Sequence, residues 1–295
     1  MRTPRNVGGG YTTSDLRTHS RSPSATVAVC VKITPLTGSA VGFTSASQDL
    51  SISGVTYRYS TGVAASQVEM AAGVHAPNME LTSILSSNGI PAAEVETPKW
   101  QGARVEVFLV NYEALTMGEL VLVKGRLADF KTQVPLTVTA EARGLNNALL
   151  NHVGRVTTPL CIADFGDSLC KLDLVALGYV KTGRAITTVT STSVFRVASL
   201  VGVGVDYFKN GKVEIETGSN AGLGAFEVKS FDNSNGEFTL HRPVPYALTT
   251  SDTVKATRGC QKRVADCSGY NNIVNNRSFP FVPLEAAMRV REAGQ

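Results

Sequence analysis

From Thr26 onward the chain carries a period-two pattern. Val27, Val29, Val31 and Ile33 alternate with Ala, Cys and Lys, which predicts a half-buried strand. The run S-I-S-G-V-T-Y-R-Y, ending at Tyr59, predicts a hairpin, with β-formers Ile52, Val55, Tyr57 and Tyr59 around Gly54. Residues 104–112 alternate and then turn apolar. Residues 120–131 continue the pattern, with Gly125 marking a bulge or bend, and 134–143 closes the group, Pro135 placing its start at an edge. Pro91 to Thr97 predicts one or two helical turns, with proline at the start. Leu145, Leu149 and Leu150 give a second helix candidate one apolar face. Residues 26–155 therefore read as a β-rich domain of sandwich or barrel type.

The second half has a different texture. A polar segment, T-P-L-C-I-A-D-F-G-D-S-L-C-K, reads as a loop, and 173–181 reads as a strand. Residues 182–245 form a β insertion with turn chemistry at Asn210-Gly211 and Asn235-Gly236, since Asn and Gly tolerate the positive φ of tight β-turns. A second polar segment, R-G-C-Q-K-R-V-A-D-C-S-G-Y-N-N, brings the chain back. Residues 271–283 are irregular, and E-A-A-M-R-V-R-E-A is a short helix or a tail that orders on a partner. Residues 1–25, rich in Ser, Thr, Arg and Gly, cannot bury a core and read as an extended or flexible N-terminal arm. The domain reading is thus an arm at 1–25, a β-rich domain at 26–155, and a C-terminal domain at 156–295 that carries the insertion.

Composition narrows the class. Of 295 residues, 43% are hydrophobic and 18% charged, which is a globular balance. The net charge of +4 is spread thinly, so no run of Lys or Arg marks a nucleic-acid face. No apolar run approaches the roughly 18 residues of a bilayer span, so no stable membrane insertion is expected. The N-terminus lacks the apolar core of a signal peptide, which predicts synthesis and initial retention in the cytosol. The four histidines, His19, His75, His152 and His241, sit in no metal-protease or nucleophile motif, and no phosphate-binding glycine loop stands in a strand–turn–helix context. An enzyme is not the first reading.

The cysteines carry the candidate chemistry. Cys30 stands in an apolar strand and reads as a small core residue. Cys161 and Cys170 share the first polar segment, and Cys260 and Cys267 share the second. In a reducing compartment, grouped cysteines favour metal over disulfides. Their spacings, C-x8-C and C-x6-C, are wider than the C-x2-4-C knuckles of structural zinc, while an iron–sulfur cluster takes one thiolate per iron from looser loops. Spacing alone leaves a metal centre, two disulfides and unrelated buried thiols open. Lys171, Arg258, Lys262 and Arg263 flank the thiols, either as solvated charge or as an offset to thiolate charge. Asp164 and Asp167 read as turn formers beside Gly166.

The order of motifs resembles the tail tip, or hub, proteins of long-tailed bacteriophages and gene transfer agents. It is carried by Cys30, then G-F-T-S-A-S-Q-D-L-S-I-S-G-V-T-Y, N-M-E-L-T-S-I-L, W-Q-G-A-R-V-E-V-F-L-V-N-Y, G-R-L, A-E-A-R-G-L, L-C-x8-C, and C-x6-C-x3-N-x4-N closing on F-P-F-V-P. These span residues 28–283. The sequence departs where the family has T-x-H-D, reading Thr44-Ser-Ala-Ser-Gln-Asp49 without that His, and Ser278 and Val282 sit in a looser final motif. The resemblance implies a mainly β hub with a small cysteine-ligated C-terminal domain, similar to lambda-like tail tip proteins. It implies that Cys161, Cys170, Cys260 and Cys267 hold a 4Fe–4S cluster, with zinc as the alternative. It implies a homotrimer in the virion tail tip, assembled in the host cytoplasm. Its partners would be the distal tail protein ring and the central fibre or tip attachment protein, with the tape measure protein as a further candidate. The competing readings are a tail-associated redox or cell-wall-degrading enzyme and a receptor- or carbohydrate-binding β module. A low aromatic content of 7%, with one Trp, argues against sugar stacking.

Overall fold

The computed structural model describes residues 13–59, 64–65, 78–82, 90–95, 97–133, 137–144, 154 and 157–281. The chain divides into two compact units, 1–152 and 153–295, and both are mainly β.

The first unit opens with helix α1 (Thr13–His19), inside the segment expected to be an arm. Asp15 in its first turn and Arg17 and His19 in its last complement the helix dipole, and Leu16 is fully buried. The His19 ring accepts from the Thr26 N–H at 3.1 Å, which ties the helix end to the first strand. Residues 1–12 lie outside the described residues.

Nine strands follow: β1 (Val27–Thr34), β2 (Val41–Thr44), β3 (Leu50–Ile52), β4 (Val55–Tyr59), β5 (Ala64–Ala65), β6 (Asn78–Thr82), β7 (Arg104–Asn111), β8 (Leu120–Gln133) and β9 (Thr137–Gly144). They form one sheet in the order β3-β4-β2-β1-β7-β8-β9-β6-β5, antiparallel except for the β2–β4 pair. The predicted hairpin is β3–β4. β1 is covered on both faces, not one. Val31 and Ile33 join a core with Trp100, Val105 and Val107, while Ala28 and Cys30 join another with Tyr57, Phe108 and Val110. The small side chains at 28 and 30 hid this second face from a hydrophobicity pattern. Cys30 is fully buried and its thiol donates to Thr44 Oγ1 at 3.5 Å; burial pushes it up to about 11, so it is an inert core residue. Gly125 pairs regularly with Val105, and the ladder slips on either side of it instead. Strand β6 pairs with β9 and β5. The helix candidate near 146–153, and Pro135, lie outside the described residues.

The second unit holds β10 (Val180–Ala185), β11 (Thr188–Val189), β12 (Val194–Arg196), β13 (Lys212–Ile215), β14 (Ala225–Asp232), β15 (Glu237–Leu240), β16 (Thr253–Thr257) and the short helix α2 (Val264–Gly269). The strands form an antiparallel sheet in the order β10-β16-β13-β14-β15-β12-β11. Its core is a cluster of phenylalanines: Phe208, Phe231 and Phe238 lie within 5.1 Å of one another by ring centre, and Phe195 stacks on Phe238 at 5.5 Å. The Asn235-Gly236 turn joins β14 to β15 as expected. The Asn210-Gly211 turn does not make a hairpin; Asn210 takes φ +58 in a turn that leads into β13 from an irregular segment. Residues 173–178 are also turns, not strand. The Asp173 carboxylate accepts the N–H groups of Val175 and Ala176 at 3.0 Å each, which competes with a ladder.

Candidate metal centre

The two cysteine segments fold as loops because short polar side chains bind their own backbone. Asp167 accepts from the N–H groups of Asp164, Leu169 and Cys170 at 3.0, 2.9 and 2.6 Å. Desolvation pushes its carboxyl up, yet the N–H groups of Cys170, Asp164 and Leu169, with Lys262 nearby, together hold it below the usual aspartate value. Gly166 takes φ +83, and a Cβ there would meet Leu174 at 2.6 Å. In the second segment Asp266 accepts the Arg263 N–H at 3.1 Å and its Nε at 3.3 Å, which starts α2 and places Cys267 on its buried side. Asp164 and Asp167 are turn formers, as the sequence indicates.

Three hydrogen bonds to backbone carbonyls join the segments. Cys161 N–H donates to Lys262 O at 2.8 Å, Asn272 Nδ2 donates to Cys170 O at 2.8 Å, and Phe279 N–H donates to Thr158 O at 2.8 Å. The result is that Cys161, Cys170, Cys260 and Cys267 all line one cavity, beside Phe165 and Tyr270. All four are free thiols. Three are buried and Cys260 is half-buried. Burial raises the Cys260 thiol above its ordinary range, the Lys262 N–H pulls it back, and Cys267, Asp266 and Cys170 push it further up.

Each of the four sulfurs also receives one N–H. Lys262 N–H points to Cys260 Sγ at 3.3 Å, and Arg277 N–H to Cys161 Sγ at 3.4 Å. Asn276 Nδ2 points to Cys267 Sγ at 3.0 Å, and Asn272 Nδ2 to Cys170 Sγ at 3.6 Å. A neutral thiol is a weak acceptor, and a thiolate is a strong one. A full set of donors therefore suits sulfurs that carry charge. Arg277 also holds a buried Nε with no acceptor among the described residues. These observations fit a thiolate-bound centre. Among the described residues, no group of three His, Cys, Asp or Glu side chains is close enough to hold a single metal ion. A tetrahedral zinc site, with Zn–S near 2.3 Å, requires sulfurs about 3.8 Å apart. A cluster with one thiolate per iron holds them farther apart.

The asparagines are the residues that sequence reasoning passed over. Asn276 stood in the quoted C-x6-C-x3-N-x4-N motif without a role, and Asn272 was part of an irregular run. A cluster of asparagines beside cysteines is the available signal. The four flanking cations separate in space. Lys262 lines the cavity and pairs with Asp164 at 3.1 Å, and Arg263 pairs with Asp266 at 3.3 Å. Lys171 is exposed, at φ +60. Arg258 is held among three tyrosines, its guanidinium carbon 4.7, 4.4 and 4.7 Å from the rings of Tyr179, Tyr207 and Tyr270.

The family described as "Baseplate hub protein, N-terminal attachment domain" matches residues 13–173. The chain belongs to this baseplate hub family. A second family, "Phage conserved hypothetical protein BR0599", matches residues 206–285. The hub match takes in Cys161 and Cys170, and the second match takes in Cys260 and Cys267. A chain in the solved "Virion of native gene transfer agent (GTA) particle" is similar at 28% identity with a TM-score of 0.77, over 92% of this chain and 94% of that one. No curated protein matches.

Proposed function

We propose that this hub protein is a structural component of the virion tail tip, joining the distal tail ring to the central fibre or tip attachment protein. We further propose that it works as a homotrimer, and that its four converging thiols hold a 4Fe–4S cluster with a structural role. The observation that carries the reading is the single cavity lined by all four cysteines, every sulfur facing an N–H donor. Membership of the baseplate hub family and the likeness to a gene transfer agent virion chain support the placement.

The packing of the cysteine loops supports this reading. The cysteine loops bury only Cys161, Ala163 and Cys170 as their own apolar cluster, with Phe165, Leu169 and Leu172 partly covered. So small a core cannot offset the conformational entropy of ordering two long loops. Bonds from four thiolates to one centre supply that free energy. When bound, the cluster would contribute metal–sulfur bonds and a compact negative charge. The chain's own part is to aim four sulfurs at one point, solvate them with N–H groups and exclude water with Phe165 and Tyr270.

Purified anaerobically, the protein should be brown, with iron and acid-labile sulfide in equal amounts. A colourless preparation carrying one zinc per chain would overturn the cluster reading and leave the fold intact. The trimer is checked by mass measurement in solution; a stable monomer would overturn it.

A further inference from the structure

Next to the thiol cavity lies a second, wider cleft, with about 1000 Å³ of space including its open mouth. It is built where β13, β14 and the end of β16 meet the first cysteine loop, and Asp164, Lys212, Glu227, His241, Arg258 and Lys262 line it. Its cations are not all spent. Lys262 pairs with Asp164, but no carboxylate among the described residues lies within ion-pair distance of Arg258 or Lys212.

Arg258 is the unusual member. It is half-buried, its guanidinium N–H groups reach no acceptor among the described residues, and three rings surround it. Tyr179 and Tyr270 touch each other at 5.8 Å, and no such ring contact joins Tyr207 to either, so Tyr207 covers the guanidinium from another side. Rings packed this close to a guanidinium attract it and restrain its movement. The backbone fixes it as well: Arg258 N–H donates to Tyr179 O at 2.9 Å, the Gly259 N–H to Tyr207 O at 3.1 Å, and the Tyr270 hydroxyl to Gly259 O at 3.2 Å. A half-buried arginine that is immobilised and unpaired is pre-organised for an anion, because its side-chain entropy is already lost.

The charge of the cleft selects the anion. Three cations, Lys212, Arg258 and Lys262, stand against two carboxylates, Asp164 and Glu227. The small positive surplus suits one carboxylate and opposes a phosphate dianion or a nucleic-acid backbone. Asp164 and Glu227 remain as acceptors for the N–H groups of a peptide. We propose that this cleft receives a carboxylate on a peptide segment of a neighbouring tail protein, with Arg258 as the receiving residue and Lys212 as its aid. The proposal rests on the hub reading for the nature of the partner; because Cys260 lines both cavities, binding is compared between samples with the thiol centre in the same state.

The test uses the full chain and two probes, acetyl-Gly-Glu-Gly-amide and its Gln counterpart, titrated by NMR with inorganic phosphate as a competitor. A charge-assisted fork should make the Glu peptide bind about tenfold tighter than the Gln peptide. Arg258→Gln should abolish that preference, Arg258→Lys should weaken it by losing the fork, and Lys212→Glu should weaken it severalfold. Lys212 is exposed on a strand, so K212E keeps the test alive if R258Q fails to fold. Visible absorbance recorded on each sample reports the thiol centre separately. Equal binding of both peptides, no binding at millimolar concentration, or phosphate outcompeting the Glu peptide would overturn the proposal, as would a folded R258Q that keeps the preference.

Discussion

At the scale of single residues, the second unit depends on groups that look ordinary in the sequence. Asp167 shapes the first thiol loop through three N–H groups, and its carboxyl is held below the usual value of 3.8. A depressed acid stabilises the fold above its unfolded pKa, and that contribution is lost as pH falls through the folded value. The loop should therefore loosen below about pH 4. Asp167→Asn should lower the melting temperature at neutral pH and flatten its fall with acid; unchanged acid sensitivity would remove Asp167 from this role. Gly259 lies between Arg258 and Cys260, and a Cβ there would meet the Lys209 carbonyl oxygen at 1.7 Å. Gly259→Ala should destabilise the second unit by at least about 3 kcal/mol, read by denaturant titration, because the obstacle is backbone that has no rotamer to yield. The turn-forming role of Asp167 was legible beforehand, and that of Gly259 was not. A glycine in a polar loop reads as flexibility until the turn that crosses it, here at Lys209, is known.

At the scale of elements, alternation was a sound guide wherever one face was apolar and the other polar. Local pattern found β1, β7 and β8 by alternation, the β3–β4 hairpin by its β-formers around Gly54, and the β14–β15 turn by its Asn-Gly pair. It failed where side-chain hydrogen bonds beat propensity, as at Asp173, and where a turn served entry instead of reversal, as at Asn210. It also missed α1, whose seven residues owe their place to Leu16 and to the tie between His19 and Thr26. In the insertion sheet the phenylalanines hold β12, β14 and β15 against the segment before β13. Phe238 is fully buried and touches three other rings. Phe238→Ala should cost about 3–5 kcal/mol, because the rings around it cannot collapse into the gap. Guanidinium unfolding followed by circular dichroism measures it; a loss below about 1 kcal/mol would show the cluster repacks.

At the scale of the molecule, the two units carry separate reporters. Trp100, the single tryptophan, is buried in the first unit's core, and the thiol centre lies wholly in the second. If the centre staples the second unit, stripping it with a chelator after mild oxidation should abolish the visible absorbance and lower that unit's transition. The tryptophan fluorescence melt should stay in place. A simultaneous loss of both signals would show that the units unfold as one and that the centre supports both.

The sequence by itself determined that the chain is mainly β, that its cysteines fall into two loop pairs with Cys30 apart, and that the motif order is that of a tail hub. These follow from local pattern and chain order, which sequence carries directly. Only the tertiary structure decided that four thiols from loops 89 residues apart line one cavity, that Asn272, Asn276, Lys262 and Arg277 supply one N–H to each sulfur, and that Arg258 stands among three tyrosines. Those arrangements depend on where an intervening sheet returns the chain. No local propensity encodes that return; it is set by the register of β10, β13 and β16 and by the core they enclose.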